Sequence, residues 1–161
     1  MRRDSNVKLK ETDSELEAPQ LMFAELDGLL GYHLRRAQGA MHRDFMASVA
    51  QFELTQKQAA TLWLIHANPA VSQVSIAAAL GMDRATMMSV IDRLEDRGYV
   101  IRKRSMVDRR RQELYLTPSG QNTLRKVKAR INEHEARVRA MFTKAEIDAL
   151  IETLQKFREI G

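Results

Sequence analysis

The sequence predicts a mainly α-helical chain carrying one small β-hairpin, on three observations. Apolar residues recur at three- and four-residue spacing through most of its 161 residues. The pattern turns to alternation only over residues 99–117. Helix-start residues (Thr55, Ser72, Asp83, Thr117, Thr143) and stop residues (Gly81, Gly98) cut the helical pattern into defined pieces.

Composition sets the outer bounds. Hydrophobic residues make up 44% and charged residues 29%, the balance of a globular chain, and three prolines leave room for long helices. The formal charge of +5 suits an anionic partner, and its location says more than its size. Between residues 97 and 111, Arg97, Arg102, Lys103, Arg104, Arg109, Arg110 and Arg111 stand against Asp108 alone. With no cysteine, disulfides, thiolate metal sites and cysteine redox sensing are excluded. No apolar run reaches the length of a membrane span and no signal-peptide core is present. A cytoplasmic protein without a membrane partner is therefore expected.

Taken in order, residues 1–20 mix charges of both signs with few apolar side chains and read as a disordered tail. From Leu21 to about Ala50 the residues Leu26, Leu30, Leu34, Ala37, Met41 and Phe45 predict a long helix. Gly28, Gly31 and Gly39 weaken it, so tertiary packing must hold it. Thr55 and Gln58 form a capping box for a helix that buries Ala59, Leu62, Trp63 and Ile65 or His66 and stops before Pro69. Ser72 caps a short helix, Gln73 to Leu80, with Val74, Ile76, Ala77 and Leu80 apolar. After Gly81, Asp83 caps a helix striped by Met87, Val90, Ile91 and Leu94. Two short helices joined by a glycine turn make a helix-turn-helix unit.

Gly98 ends that helix, and 99–104 and 112–117 alternate as two strands with Leu114 and Leu116 on one face. Thr117 and Pro118 then open a helix to about Phe142, and a second capping box, Thr143 to Glu146, opens the last, to Ile160. Their apolar positions include Leu124, Val127, Ile131, Val138 and Met141, then Ile147, Leu150, Ile151, Leu154 and Phe157. The domain reading is a tail (1–20), a winged helix-turn-helix DNA-binding domain (51–117), and a helical region built from 21–50 and 118–161, read as a dimerisation region because its apolar stripes are more than a small domain can cover alone.

A polar helix followed by an arginine-tipped hairpin suits duplex DNA, the helix in the major groove and arginine in the minor. Arg84, Thr86, Met88, Ser89 and Arg93 lie off the core stripe. Arg84 and Ser89 suit base edges, Met88 a thymine methyl and Arg93 a phosphate. Asp83 reads as a cap rather than a contact. Ser72, Gln73 and Ser75 offer amides and hydroxyls to phosphate. Arg109 and Arg110 are assigned to the minor groove, and Arg102, Lys103, Arg104 and Arg111 to phosphate neutralisation. The plain alternative for each is a solvated face. His33 and His42 lie nine apart, and His66 and His134 fall on other helices, so no metal site is expected. No nucleophile elbow, phosphate loop or paired-carboxylate motif appears, so neither a catalytic site nor a cofactor is expected.

Certain stretches resemble the MarR family of winged helix-turn-helix transcriptional regulators. They are Leu54-Thr55-x-x-Gln58, Leu80-Gly81-Met82-Asp83-Arg84-Ala85-Thr86, Asp92-Arg93-Leu94-Glu95-Asp96-Arg97-Gly98-Tyr99-Val100 and Asp108-Arg109-Arg110-x-x-x-Leu114-x-Leu116-Thr117. The match spans residues 24–160 and departs from the family at Ser105-Met106-Val107, where acidic or proline-containing residues are commoner. The resemblance implies a homodimer, its first helix and last two interlocked with the partner's. Such a dimer presents two recognition helices roughly 34 Å apart to a pseudo-palindromic operator. It implies that Asp108 orients an arginine and that Arg110 inserts. It also implies a small aromatic acid or related effector bound between the dimer helices and the DNA-binding lobe. Tyr32, His33, Arg36, Met41, Phe45, Trp63 and His66 are the candidate lining, with Arg36 suited to a carboxylate or phosphate. The stretch Gly31-Tyr32-His33-Leu34-Arg35-Arg36-Ala37 looks like that of regulators of hydroxycinnamate catabolism that sense a coenzyme A thioester. The expected function is a ligand-responsive repressor of an aromatic-compound catabolic operon. The alternatives are a winged-helix protein-interaction module and a non-specific DNA-organising protein.

Overall fold

The computed structural model describes residues 21–106 and 111–157. The expected N-terminal tail, the Asp108-Arg109-Arg110 tip and the last residues of the final helix lie outside them. The element order is α1 (Leu30–Val49), α2 (Gln56–Ala67), α3 (Gln73–Ala79), α4 (Arg84–Asp96), β1 (Val100–Arg104), β2 (Gln112–Leu116), α5 (Pro118–Arg139) and α6 (Lys144–Lys156). A division after Arg36, inside α1, separates two compact units.

In the larger unit the expected caps all form. Thr55 Oγ1 accepts from the Gln58 amide while Gln58 Oε1 accepts from the Thr55 amide, at 3.2 and 2.9 Å, closing the box at the start of α2. Ser72, Asp83, Thr117 and Thr143 each accept an amide three residues on, starting α3, α4, α5 and α6. The α3–α4 turn depends on Gly81, whose φ of +60° lies in the left-handed region that a side chain disfavours. The two helices meet at 116°, a helix-turn-helix angle. At the end of α4, Gly98 (φ +68°) closes a Schellman motif. Its amide donates to Glu95 O at 2.8 Å, and that of Tyr99 to Leu94 O at 2.9 Å.

β1 and β2 pair antiparallel with Arg102 opposite Leu114. Val71 adds an isolated bridge on the far side of β2, where the Leu114 amide donates to Val71 O at 3.0 Å and Leu114 O accepts from the Ala70 amide at 3.2 Å; the Leu114 side chain is buried. Leu114 joins Leu62, Ile65, Ile76, Met87, Ile91, Leu94 and Leu124 in one core. The whole stripe of α4 is inside it, as its spacing predicts. The first half of α5 belongs to the same core, through Leu124 and Val127.

Several expectations need correction. Trp63 is 36% exposed and His66 is exposed; α2 instead turns Gln58 and Thr61 inward with Ala59, Leu62 and Ile65. Burying polar Gln58 and Thr61 carries no penalty, because Gln58 caps the helix and the Thr61 hydroxyl donates to Lys57 O at 2.8 Å. Val74 is 52% exposed, since α3 is only two turns long and Ile76 and Ala77 face the core. α5 ends at Arg139, three residues early, where the Met141 and Phe142 amides fall back on carbonyls three residues before them. Among the described residues no single helix is long and apolar enough to cross a membrane.

The smaller unit also departs from expectation. The long helix does not start at Leu21: a 3-10 turn, Ala24–Gly28, comes first, and extended Leu29 breaks it from α1. Gly28 is the weak point, because glycine loses the most backbone freedom in a helix. The His33 ring bonds the Asp27 carbonyl at 2.8 Å across the break. The Arg36 guanidinium donates to the Tyr32 hydroxyl at 2.9 Å and lies over its ring.

Candidate nucleic-acid interface

The site is built on α4 and the hairpin. With Met87, Val90, Ile91 and Leu94 turned inward, helical geometry turns Arg84, Met88, Ser89 and Arg93 outward, and all four are exposed. Met88, 52% exposed, leaves an apolar tip on an otherwise polar surface. Thr86 is half-buried and committed to the cap. Its amide donates to Asp83 Oδ1 at 2.8 Å and its hydroxyl to Asp83 Oδ2 at 2.6 Å. Those bonds hold the Asp83 carboxyl below the usual carboxylate range, so the cap is ionised at neutral pH. On α3, the Ser72 hydroxyl is taken up by the Ser75 amide and hydroxyl, at 3.1 and 2.8 Å.

The hairpin is fastened to α4 by a connection that spacing alone did not reveal. The Arg102 guanidinium donates to both Asp92 and Glu95, and its backbone amide donates to Glu95 Oε1 at 3.2 Å. Arg102, expected to neutralise phosphate, is therefore held inside the protein, its side chain 19% exposed. Arg97 is likewise structural. It donates to Phe52 O and Glu53 O, both at 2.8 Å, capping the turn before α2, and it stacks on Tyr99.

Further along the hairpin, Lys103 lies over the Tyr115 ring, while the Tyr115 hydroxyl donates to Glu113 at 2.9 Å. The Ser105 side chain also bonds Glu113, and these bonds depress the Glu113 carboxyl and raise the Tyr115 phenol. Arg104 and Arg111 remain exposed at the point where the chain runs toward its tip. The surface thus carries exposed cations at Arg84 and Arg93 on the helix and at Arg104 and Arg111 on the hairpin. Duplex DNA needs such an arrangement: cations for phosphate flanking short side chains for base edges.

The candidate effector residues are placed separately in the two units. Tyr32, His33 and Arg36 form the bonded cluster of the smaller unit. In the larger unit Met41 is 37% exposed, whereas Phe45 is buried, edge-on to His134 with ring centroids 6.0 Å apart. Lys128 lies over the Trp63 ring, 4.4 Å from its centre, and His66 lines a groove beside it. A second buried link was missed. His134, 2% exposed, bonds Asp44 through Nδ1, and Arg137 donates to Asp44 and Ser48 at 3.0 and 2.9 Å. Among the described residues no three His, Asp or Glu side chains gather to hold a metal ion.

A helix-turn-helix braced to a basic hairpin defines a winged helix-turn-helix DNA-binding protein. The chain belongs to the MarR family, whose pattern matches residues 54–111, and it is a DNA-binding transcriptional regulator. A Thauera aromatica protein named as a transcriptional regulatory protein for the hcr operon is 33% identical over 138 residues, 85% of this chain and 83% of its own. The transcriptional repressor CouR bound to a 23-mer DNA duplex superposes with a TM-score of 0.83 at 38% identity, covering 87% of this chain and 99% of that one. CouR bound to p-coumaroyl-CoA gives 0.79 at 37% identity, covering 86% and 98%.

Proposed function

We propose that this chain is a cytoplasmic, homodimeric repressor of an operon for aromatic-compound catabolism. It holds a pseudo-palindromic operator until an aromatic acid, or its coenzyme A thioester, binds. The observation that carries this reading is the likeness to CouR along nearly its whole length, in a form bound to DNA and in a form bound to an aromatic acyl thioester. Exposed apolar side chains support the dimer: Leu26 and Leu30 before and on α1, Met141 and Phe142 after α5, and Leu150, Ile151 and Leu154 on α6. Exposed apolar side chains in such number mark an interaction site. The dimerisation region is assigned to 21–50 and 118–161, and DNA binding to 51–117.

In this reading Arg84, Met88 and Ser89 read bases. Arg93, Arg104, Arg111, Gln73 and Ser75 hold phosphate, and Arg109 and Arg110, placed by Asp108, enter the minor groove. Tyr32, His33, Arg36, Met41, Trp63 and His66 serve the effector, and Phe45 supports them from the core. Ligand acts by favouring a dimer whose recognition helices no longer match the groove spacing. The test is a gel shift on the promoter beside the chain's own gene, at fixed salt, with Arg110→Ala as comparison. High-affinity binding disappears in the variant, the dimer stays intact, and p-coumaroyl-CoA releases the wild type. Equal affinity of variant and wild type overturns the wing assignment; release by neither aromatic acids nor their thioesters overturns the effector class.

A further inference from the structure

Between α2 and the first half of α5 runs a groove of about 620 Å³, a volume typical of small-molecule sites. Its wall from α5 carries Gln121, Asn122, Arg125, Lys128 and Asn132, and His66 closes it from α2. Two permanent cations and three carboxamides line it, and no carboxylate does. In a chain with 21 acidic residues, a wall of donors free of acids is a chemical bias toward anions.

Both cations are available. Arg125 donates to the neutral Asn122 carboxamide at 2.7 Å, and neither Arg125 nor Lys128 has an ion-pair partner among the described residues. They lie three apart on α5 and so present their charges on one face. Lys128, a residue of that wall, rests on the indole of Trp63, which is 36% exposed. Its flexible four-carbon stem can carry the ammonium from the indole to a nearby anion, freeing that ring face for a planar ligand.

We propose that this groove seats the phosphorylated nucleotide end of an acyl-coenzyme A effector, with Arg125 and Lys128 on phosphate and the purine stacked on Trp63. The assignment rests on the thioester reading of the effector given above. Paired cations fit a phosphate ester better than a carboxylate, which one cation satisfies. The groove's concavity fits a small ligand, whereas duplex DNA is assigned above to α4 and the hairpin.

Trp63 is the only tryptophan and lies under Lys128, so its fluorescence reports changes at that wall of the groove. The full chain is titrated with p-coumaroyl-CoA, with adenosine 3′,5′-bisphosphate and with p-coumarate, each against wild type and the Arg125→Gln/Lys128→Gln double variant. The two nucleotide-bearing ligands shift the emission of the wild type. The double variant binds p-coumaroyl-CoA about tenfold more weakly or worse, the effect of losing charge-assisted bonds to phosphate, and binds p-coumarate as the wild type does. The swap Arg125→Lys/Lys128→Arg, which keeps both charges, restores thioester binding. Thioester affinity equal in the double variant and wild type overturns the groove assignment and leaves the effector reading standing. A wild type that binds p-coumarate but not its thioester overturns the thioester reading of the effector, and the groove assignment with it.

Discussion

Arg102 decides whether the hairpin's charge is electrostatic decoration or architecture, and its replacement by Gln separates the two. Its guanidinium spans Asp92 and Glu95, whose side chains are 50% and 37% exposed, while its own is 19% exposed. Exposed ion pairs contribute about 0.2–1 kcal/mol each. Two on one half-buried guanidinium stabilise the α4–hairpin junction by about 1–2 kcal/mol. The β-ladder survives the substitution, so the hairpin still forms, but its angle to α4 is no longer fixed. That angle must then be fixed on DNA, and the cost appears as affinity: a loss of about fivefold to thirtyfold per site.

A phosphate contact predicts something different. Losing one lowers the slope of log affinity against log salt by about 0.9 per contact. Arg102→Gln is therefore assayed by operator binding across a salt series, together with Glu95→Gln. Glu95→Gln removes a negative charge beside the DNA-facing helix. If charge alone matters, it tightens binding; if the junction matters, it weakens binding as Arg102→Gln does. The expected result is weaker binding in both variants with the salt slope unchanged. A reduced slope for Arg102→Gln with tighter binding for Glu95→Gln refutes the reasoning.

Three further outcomes follow from the same geometry. A Cβ on Gly120 would lie 2.0 Å from the Tyr99 carbonyl oxygen, so Gly120→Ala must move backbone where α5 meets the hairpin. Overpacking of this kind costs about 1–3 kcal/mol, and an unchanged melting temperature would contradict it. Asp83→Ala removes both bonds to Thr86 and costs about 0.5–2 kcal/mol of unfolding free energy, whereas Asp83→Asn retains most of it; equal losses in urea melts would show that the cap is not the cause. The bonds from His134 and Arg137 hold the Asp44 carboxyl below its usual range. Its contribution is thus complete above the ordinary carboxylate range and is lost as pH falls through the lowered folded value. Asp44→Asn is less stable at neutral pH, and its stability curve converges on the wild type in acid; parallel curves throughout would refute the linkage.

What the sequence revealed and what it hid divide along the range of the interactions. The helix caps rest on contacts three residues apart, and every cap named from the sequence formed. The α4 stripe was equally legible, because a 13-residue helix with four apolar positions at i, i+3, i+4 and i+7 has one face to bury. Trp63 was misplaced because hydrophobicity was weighed above helical phase: it lies one step off the face that carries Ala59, Leu62 and Ile65. The links from Arg102 to α4 and from His134 to Asp44 span 7 to 10 and 90 residues, and no local spacing announces the second.

The first did carry a signal. In β1, Val100 and Arg102 share a face by the two-residue period, and Val100 is buried. An arginine on the inward face of a strand, beside a helix presenting Asp92 and Glu95 at i and i+3, has its partners waiting. This changes the meaning of the basic cluster from which the DNA-binding expectation grew. Of its seven cations, Arg97 holds backbone carbonyls and Arg102 holds two carboxylates, so neither is free for phosphate. The remaining cations of the cluster lie from Lys103 onward, toward the end of the hairpin. A stretch that reads as one basic patch is therefore two devices in series: a brace at the root that sets the angle of the wing, and charge toward the tip that uses it. Neutralising the tip should lower the salt slope, and neutralising the root should not.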